Sequence, residues 1–176
     1  MGLLEARLGR KAEAEKLADR LERAVVSGAS PMAGWYAEAV RGQAALLSGN
    51  HADALASLGA GHHSRRSLDN IGYSPFMGMR HERFLRGDAL NGAGRLDEAY
   101  AWFSSFSEHS PWGRLYEAPS HLRRAQIAER LGRKADAVRH YTRFVALWKD
   151  ADPEFQPMVT KARERLRQLS DLGAAR

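Results

Sequence analysis

The sequence predicts an all-α fold, an α-solenoid built of antiparallel helix hairpins. One short phrase, a glycine followed five positions later by an alanine, recurs four times in the 176 residues. The glycines are Gly9, Gly49, Gly94 and Gly132, and the alanines are Ala14, Ala54, Ala99 and Ala137. Successive glycines are 40, 45 and 38 residues apart. A repeat of this length indicates stacked units, each of which buries its apolar face against the next unit.

Each recurring phrase predicts a tight turn between two helices. Glycine is favoured where a helix ends in the left-handed conformation, because it lacks a Cβ atom. The second helix begins within two residues of the glycine, so the two helices run antiparallel and cross closely at the alanine. Apolar residues follow at helical spacing. They are Ala18, Leu58, Phe103 and Tyr141 about one turn after the alanine, and Leu21, Phe106 and Phe144 about two turns after it.

The first helix of each hairpin is predicted from the segment before the glycine. Residues 37–47, 82–90 and 120–131 show apolar residues at helical spacing. A small residue lies seven positions before the turn glycine in these segments: Gly42, Gly87 and Ala125. A small side chain there allows the neighbouring helix to approach the backbone.

This spacing resembles that of the tetratricopeptide repeat (TPR). The third copy matches this spacing at six positions: a small residue (Gly87), the turn glycine (Gly94), the alanine (Ala99), an aromatic residue (Phe103), a second apolar residue (Phe106) and a proline (Pro111). The fourth copy has Ala125 instead of the usual glycine, and the second copy has Gly61 where an apolar residue is expected. TPR units have about 34 residues, so the units of this chain are 4 to 11 residues longer. The resemblance implies a right-handed superhelix.

A finer resemblance covers residues 70–170. Strings such as SPFMGMRHERFLRGDAL and KARERLRQL are similar to the C-terminal TPR arrays of large bacterial signalling proteins. In those proteins the array follows a serine/threonine kinase, a nucleotide cyclase or a transcription-regulator domain. None of the motifs of these domains is present in the sequence, so the resemblance implies no catalytic residue.

The repeat pattern divides residues 1–176 into the segments of one TPR-like array. They are an incomplete first repeat (1–28), a second hairpin (33–61), a long connecting loop (62–75), a third hairpin (76–110), a fourth hairpin (114–150) and a C-terminal capping helix (154–172).

The two ends of the array differ. The first helix has barely two turns, so its apolar face lacks a full partner. We therefore expect either that the chain is a fragment of a longer protein or that this face rests against another surface. The isolated chain is expected to self-associate or to be unstable. The last helix is predicted to close the array with one apolar face: Phe155, Val159, Ala162, Leu166 and Leu169. Its polar outer face is predicted to carry Arg163, Glu164, Arg165 and Arg167.

Composition excludes several classes of protein. The chain has no cysteine, which excludes disulfides, zinc-thiolate sites and cysteine nucleophiles. Glu5, Arg7 and Arg10 interrupt the N-terminal apolar stretch, which is therefore neither a signal peptide nor an anchor. No window reaches the roughly 18 apolar residues that span a bilayer. We therefore expect a cytoplasmic protein with no membrane contact.

The sequence shows no pattern typical of catalysis or of metal binding, and we predict no enzyme activity, cofactor or metal. His62 and His63 are adjacent and lack a third ligand at metal-site spacing; with the following arginines they favour a solvated loop over a hook for an anion. Ser120 next to His121 is not a catalytic dyad, and we expect Ser120 to cap a helix after Pro119. An enzyme that used the seven histidines would require a fold that gathers them.

The resemblance also implies a binding surface, because TPR arrays bind partners in a concave groove lined by the first helix of each hairpin. The repeat phase places eleven residues on this surface: Tyr36, Gln43, Leu46, His81, Phe84, Asp88, Asn91, Leu122, Gln126, Glu129 and Arg130. Such a groove suits an extended peptide or a partner helix. The leading hypothesis is a non-catalytic protein-protein interaction module, the C-terminal part of a bacterial signalling or regulatory protein.

The alternative hypothesis is a nucleic-acid-associated regulator that uses an arginine-rich surface. The net charge is +6, and phosphate contacts require basic residues on one surface. The candidates are Arg123, Arg124, Arg130, Arg133, Lys134, Arg139 and Arg143. Acidic residues alternate with them, so a mixed, solvated surface is the favoured interpretation.

Overall fold

The computed structural model describes residues 1–29, 33–59, 80–106 and 114–174, and these residues form helices and no β-strand. The helices are α1 (Gly2–Arg7), α2 (Lys11–Val26), α3 (Ala33–Leu47), α4 (His51–Gly59), α5 (Arg80–Gly92), α6 (Leu96–Ser104), α7 (Arg114–Arg130), α8 (Lys134–Leu147) and α9 (Gln156–Ala174). A 3-10 turn, Pro153–Phe155, precedes α9. The predicted all-α class is confirmed, whereas the predicted connecting loop 62–75 lies outside the described residues. None of the described helices is long and apolar enough to cross a lipid bilayer.

The chain forms two compact units, Met1–Ala99 and Tyr100–Arg176, and the boundary falls within α6. In the first unit α3 packs against α1, α2, α4 and α5, and α4 also packs against α5. Where α1, α2 and α3 meet, one buried cluster consists of small residues with one larger aliphatic side chain: Ala6, Ala14, Ala18, Ala37, Val40 and Ala44. Because these side chains are short, these three helices approach one another closely. Leu58, Leu85 and Leu90 are buried elsewhere in the unit.

An ion-pair cluster joins α2 to α3 in the first unit. The guanidinium group of Arg41 binds three carboxylates that are spaced along one face of α2. Its Nε donates to Glu15 Oε1 over 2.5 Å, its Nη2 donates to Asp19 Oδ1 over 2.7 Å, and its Nη1 donates to Glu22. The hydrogen bond from Arg41 holds the pKa of the Glu22 carboxyl below its ordinary value.

In the second unit α8 packs against both α7 and α9. Its core carries larger side chains, among them Tyr141, Phe144 and Val159. The rings of Phe144 and Trp148 are 5.3 Å apart between centroids, and those of Trp148 and Phe155 are 5.2 Å apart. This aromatic row lies where the chain leaves α8 and enters α9.

The four recurring phrases adopt one and the same turn. The φ angles of Gly9, Gly49, Gly94 and Gly132 are 74°, 72°, 77° and 70°. In each turn the residue after the glycine donates its N–H to the carbonyl five positions earlier, over 2.8 to 2.9 Å. The alanine five positions after each glycine is completely buried. The predicted left-handed caps are therefore confirmed at all four positions. The predicted packing of the two flanking helices is confirmed at Gly9, Gly49 and Gly132.

Small residues seven positions before the turn glycines lie at close helix contacts. A Cβ atom added to Gly42 would lie 2.5 Å from Leu58 Cγ of α4, and Ala125 is completely buried. Gly2 stands at the corresponding position before Gly9, which the sequence analysis missed. A Cβ atom there would lie 2.7 Å from Val40 Cγ2 of α3.

One prediction about a helix end is corrected by the structure. Ser120 does not cap a helix, because α7 begins at Arg114 and contains Pro119. Ser120 Oγ instead donates to the carbonyl of Glu117 over 2.7 Å inside the helix. Pro119 has no N–H, so the helical hydrogen bond to the carbonyl of Leu115 is missing. The helix tolerates this loss because Leu115 lies in the exposed first turn.

The faces of the terminal helices agree only partly with expectation. On α1, the side chains of Met1, Leu4 and Leu8 are exposed on one face, by 83%, 51% and 54%. On α9, Val159, Ala162 and Leu169 are buried and Leu166 is half-buried. Phe155 was predicted on the same face. It belongs instead to the preceding 3-10 turn, where it packs against the ring of Trp148 and remains 38% exposed.

Replacing the turn glycine Gly132 by alanine should destabilise the fold by about 1–2 kcal/mol, the cost of the left-handed conformation for an L-residue. The φ angle is +70° and no atom lies within 4 Å of the added Cβ, so backbone conformation is the only cost. Gly132→Asn is the matched control and should lose less, since asparagine tolerates this conformation. Urea unfolding measures both, and equal stability of Gly132→Ala and wild type would contradict the account.

Gly42→Ala should destabilise the first unit by about 1–3 kcal/mol through overpacking, although alanine is the better helix former. The control is Gly34→Ala in the same helix, where the nearest atom is 3.5 Å from the added Cβ; we expect it to be neutral or stabilising. Leu58→Ala removes the atoms that clash, so the double variant Gly42→Ala/Leu58→Ala should unfold at a higher urea concentration than additivity predicts. Strict additivity would show that the two side chains do not compete for space.

A candidate binding cleft between helices α7 and α9

The second unit contains a cleft between α7 and α9 with a volume of about 350 Å³. We call it the α7/α9 cleft. It is lined by Leu122, Gln126 and Glu129 of α7, by Tyr141 of α8, and by Met158, Lys161, Ala162, Glu164, Arg165 and Gln168 of α9.

Helical periodicity explains why these residues share the cleft. Leu122, Gln126 and Glu129 are spaced four and three residues apart, so they lie on one face of α7. Met158, Lys161, Ala162, Arg165 and Gln168 follow the same spacing along α9. The turn at Gly132 reverses the chain and packs α8 on α7, and α9 then packs on α8. Tyr141 reaches the cleft from α8.

An ion pair joins the two sides of the cleft. Arg165 Nε donates to Glu129 Oε1 over 2.7 Å and to Oε2 over 3.0 Å, and Arg165 Nη1 donates to Gln168 Oε1 over 2.8 Å. The Glu129 carboxylate raises the pKa of the Arg165 guanidinium. Both side chains are partly exposed, so solvent screens their attraction and the pair contributes orientation more than stability.

Tyr141 lies beside this ion pair with its phenol protonated. Burial raises its pKa to about 12, and the nearby charge of Glu129 adds to the effect. The phenol is therefore protonated at neutral pH. Arg165 donates to both oxygens of Glu129 and holds that carboxylate in place at the edge of the cleft.

The remaining cleft residues offer both apolar contact and hydrogen bonds. Leu122 and Ala162 are buried, while 44% of Met158 remains exposed and can cover an incoming apolar side chain. Gln126 and Gln168 are exposed, and each primary amide can both donate and accept a hydrogen bond. A segment of extended backbone requires such groups, because its own N–H and C=O are unpaired.

The structure brings together some of the residues predicted to line a groove. Leu122, Gln126 and Glu129 lie in the α7/α9 cleft, and Arg130 is exposed next to them. On α3, Gln43 is only 7% exposed, whereas Tyr36 and Leu46 are half-buried. The residues predicted on α5 are all half-buried: His81, Phe84, Asp88 and Asn91.

Several cleft residues were missed by the sequence analysis. Arg165 was predicted on the polar outer face of α9, and instead it pairs with Glu129. Tyr141 was predicted among the apolar residues that follow the alanine, and it both packs in the core and lines the cleft. The spacing from Met158 to Gln168 was the available signal, but the sequence did not reveal which helix it faces.

The fold brings together two of the four histidines that the structure describes. His121 Nδ1 and His140 Nδ1 are 2.9 Å apart, and Tyr100 Oη is 2.9 Å from His140 Nε2. His140 is only 2% exposed. Burial lowers its pKa to about 3, and the positive charges of Arg124, His121 and Arg139 act in the same direction against that of Asp136. Neutral His140 therefore has hydrogen-bonding partners at both ring nitrogens.

The other histidines are dispersed in the described part of the chain. His51 packs against Gly92, and burial lowers the pKa of His81 to about 4. His62, His63 and His109 lie outside the described residues. Among residues 1–29, 33–59, 80–106 and 114–174, no group of three or more His, Asp and Glu side chains is arranged to hold a metal ion.

Two arginines of the predicted basic surface are paired with carboxylates. Arg139 Nη2 is 2.7 Å from Asp136 Oδ1, and Arg143 Nη2 is 2.8 Å from Glu117 Oε1. Glu117 is buried, and its contact with Arg143 joins α7 to α8. These two guanidinium groups are therefore oriented by the protein itself.

Acidification from pH 6.5 to pH 4 should destabilise wild type more than His140→Gln. The unfolded chain binds a proton at His140 near pH 6.5, whereas the folded protein binds it only near pH 3. Stability therefore falls as pH falls through this window, by up to about 1.4 kcal/mol per pH unit. Urea unfolding at each pH measures the free energy of unfolding of both proteins. The difference between the two values removes the effect of the carboxyl groups, because both proteins carry the same ones. Parallel stability curves for the two proteins would contradict the assignment.

Comparison of the chain with family models, with curated proteins and with solved structures gives no match. The resemblance to the tetratricopeptide repeat therefore depends on the residues of this chain alone.

Proposed function

We propose that the chain is a non-catalytic protein-protein interaction module of the TPR type, and that it binds a peptide or a partner helix in the α7/α9 cleft. It works in the cytoplasm as part of a bacterial signalling or regulatory protein. The observation that carries this proposal is the cleft itself, where Leu122, Gln126 and Glu129 meet a second helix, α9, across an open space of about 350 Å³.

The repeated turns support a solenoid arrangement. Four turns share the same backbone conformation and the same hydrogen bonds, and each is followed by a completely buried alanine. Units with identical local geometry stack in a regular way when each covers the apolar face of its neighbour. A TPR-like superhelix of hairpins is the arrangement that such units favour.

The chemistry of the cleft supports a peptide as its ligand. The volume is within the usual range of ligand sites, about 300–1,000 Å³. Leu122, Met158 and Ala162 offer apolar contact to one side chain, and Gln126 and Gln168 can bond the backbone on either side of it. Peptide recognition commonly combines main-chain hydrogen bonds, which provide affinity, with apolar pockets, which provide specificity.

Binding of nucleic acid is the weaker candidate. Arg139, Arg143 and Arg165 are each engaged by a carboxylate of the protein. A nucleic-acid phosphate would have to compete with these fixed partners for the same guanidinium groups. The arrangement favours a mixed polar surface over a continuous phosphate-binding stripe.

A displayed library of random peptides, selected on wild type, tests the proposal. We expect a family of peptides with one central apolar residue, and at least about a tenfold loss of affinity in Gln126→Arg, since a long charged side chain then crosses the cleft. Fluorescence anisotropy with the selected peptides measures the affinity. Gln126 is exposed, so its replacement should leave the thermal unfolding temperature unchanged.

The matched control is Thr160→Arg, which adds the same charge to an exposed position of α9 outside the cleft lining. This variant should bind the peptides as wild type does. Equal losses in both variants would indicate a general charge effect, and peptides indifferent to Gln126→Arg would place binding elsewhere. Both results would overturn the proposed site.

A further inference from the structure

Two basic side chains of α9 line the α7/α9 cleft, and they differ in their pairing. Arg165 donates to both carboxylate oxygens of Glu129 and to the side-chain carbonyl of Gln168. Lys161 lines the same cleft, and it has no ion-pair partner within the described part of the chain. Lys161 therefore brings into the cleft a positive charge that is still available to a ligand.

The cleft has an ionic end and an apolar end. Helices α7 and α9 run in the same direction, because the chain reverses once before α8 and once again before α9. Glu129 is bonded to Arg165 at one end of the cleft. Two turns earlier on the two helices lie Leu122 and Met158. Lys161 lies between these ends, one turn after Met158.

Lys161 belongs to the face of α9 that forms the wall of the cleft. Successive residues of an α-helix are about 100° apart around its axis, which places Lys161 about 40° from Arg165 and Glu164 about 100° from it. Glu164 also lines the cleft and also has no ion-pair partner among the described residues, but it lies at the margin. Of these two unpaired charges, the positive one is therefore nearer to the centre of the cleft.

Apolar side chains lie directly beside Lys161. Ala162 follows it in the sequence, and Met158 is three residues earlier, a spacing of about 5–6 Å between Cβ atoms on a helix. In an extended peptide, side chains two residues apart point to the same side and are about 7 Å apart. A peptide whose apolar side chain contacts Met158 therefore brings the side chain two residues away within reach of the Lys161 ammonium group.

We propose that the α7/α9 cleft selects peptides with an aspartate or glutamate two positions from the apolar residue, and that Lys161 binds this carboxylate. The proposal rests on the peptide binding proposed above and specifies the ligand of the same site. Long-range attraction acts in the same direction. Residues 100–176 include 14 Lys and Arg and 9 Asp and Glu, a net charge of +5, and a positive field attracts acidic ligands.

The peptides selected from the displayed library provide the first test. We expect Asp and Glu to be enriched two positions before or after the apolar residue. The tightest of these peptides is then synthesised with both ends capped, so that no terminal carboxylate contributes, together with a copy in which Asn or Gln replaces the acidic residue. Wild type should bind the acidic peptide about three- to fivefold more tightly than the amide copy, as expected of an exposed ion pair. Fluorescence anisotropy measures both affinities.

Variants of Lys161 test whether this residue is the partner of the carboxylate. Lys161→Gln should bind the acidic peptide and its amide copy equally well, and Lys161→Glu should prefer a copy with lysine at the acidic position. The matched control is Arg167→Gln, which removes the same charge from an exposed position of α9 outside the cleft lining. This variant should keep the preference of wild type. Lys161 and Arg167 are both exposed, so the thermal unfolding temperature should not change.

Four results would overturn the proposal. Peptides that lose affinity in Gln126→Arg but show no acidic preference would exclude the role of Lys161 and leave peptide binding in the cleft intact. A preference that persists in Lys161→Gln, or that Arg167→Gln loses to the same extent, would assign the effect to another group or to the net charge. A library that yields no binding peptide would overturn both the proposed function and the role of Lys161. A single-stranded oligonucleotide that binds more tightly than the selected peptide, and is lost in Lys161→Gln, would favour nucleic acid instead.

Discussion

The architecture depends on one constraint, the close crossing of paired helices on either side of a left-handed glycine. The glycine allows the chain to reverse within two residues, and the buried alanine five positions later allows the second helix to lie against the first. Gly42 shows how little space remains, since an added Cβ would lie 2.5 Å from Leu58 Cγ. Larger side chains at these positions would separate the helices and open the core between them.

The α7/α9 cleft is a consequence of the same geometry. The turn at Gly132 places α8 against α7, and the aromatic row of Phe144, Trp148 and Phe155 leads the chain into α9. Helices α7 and α9 then face each other across α8, and Tyr141 of α8 lines the cleft between them. The pair formed by Glu129 and Arg165 orients the cleft edge. The proposed binding surface is therefore a product of helix packing.

The second unit buries polar groups beside its apolar core, and the hydrogen-bonded chain of Tyr100, His140 and His121 is one example. Buried polar groups are tolerated when each has a partner, and neutral His140 meets that condition at both ring nitrogens. The Tyr100 ring also contacts two arginines, whose guanidinium carbons lie 5.1 Å (Arg124) and 6.0 Å (Arg133) from its centre. The ring therefore links the buried, acid-sensitive His140 to basic side chains of the same unit.

The sequence by itself determined the helical class, the four turns and the buried alanines, because a left-handed glycine and a helical apolar spacing are local requirements. It also placed Leu122, Gln126 and Glu129 on one face of α7. Only the tertiary structure decided what that face meets. Arg165 and Glu129 are 36 residues apart, and His121 and His140 are 19 apart. Whether such residues meet depends on the packing angle between helices, and this angle is set by the sum of many side-chain contacts and by no single motif.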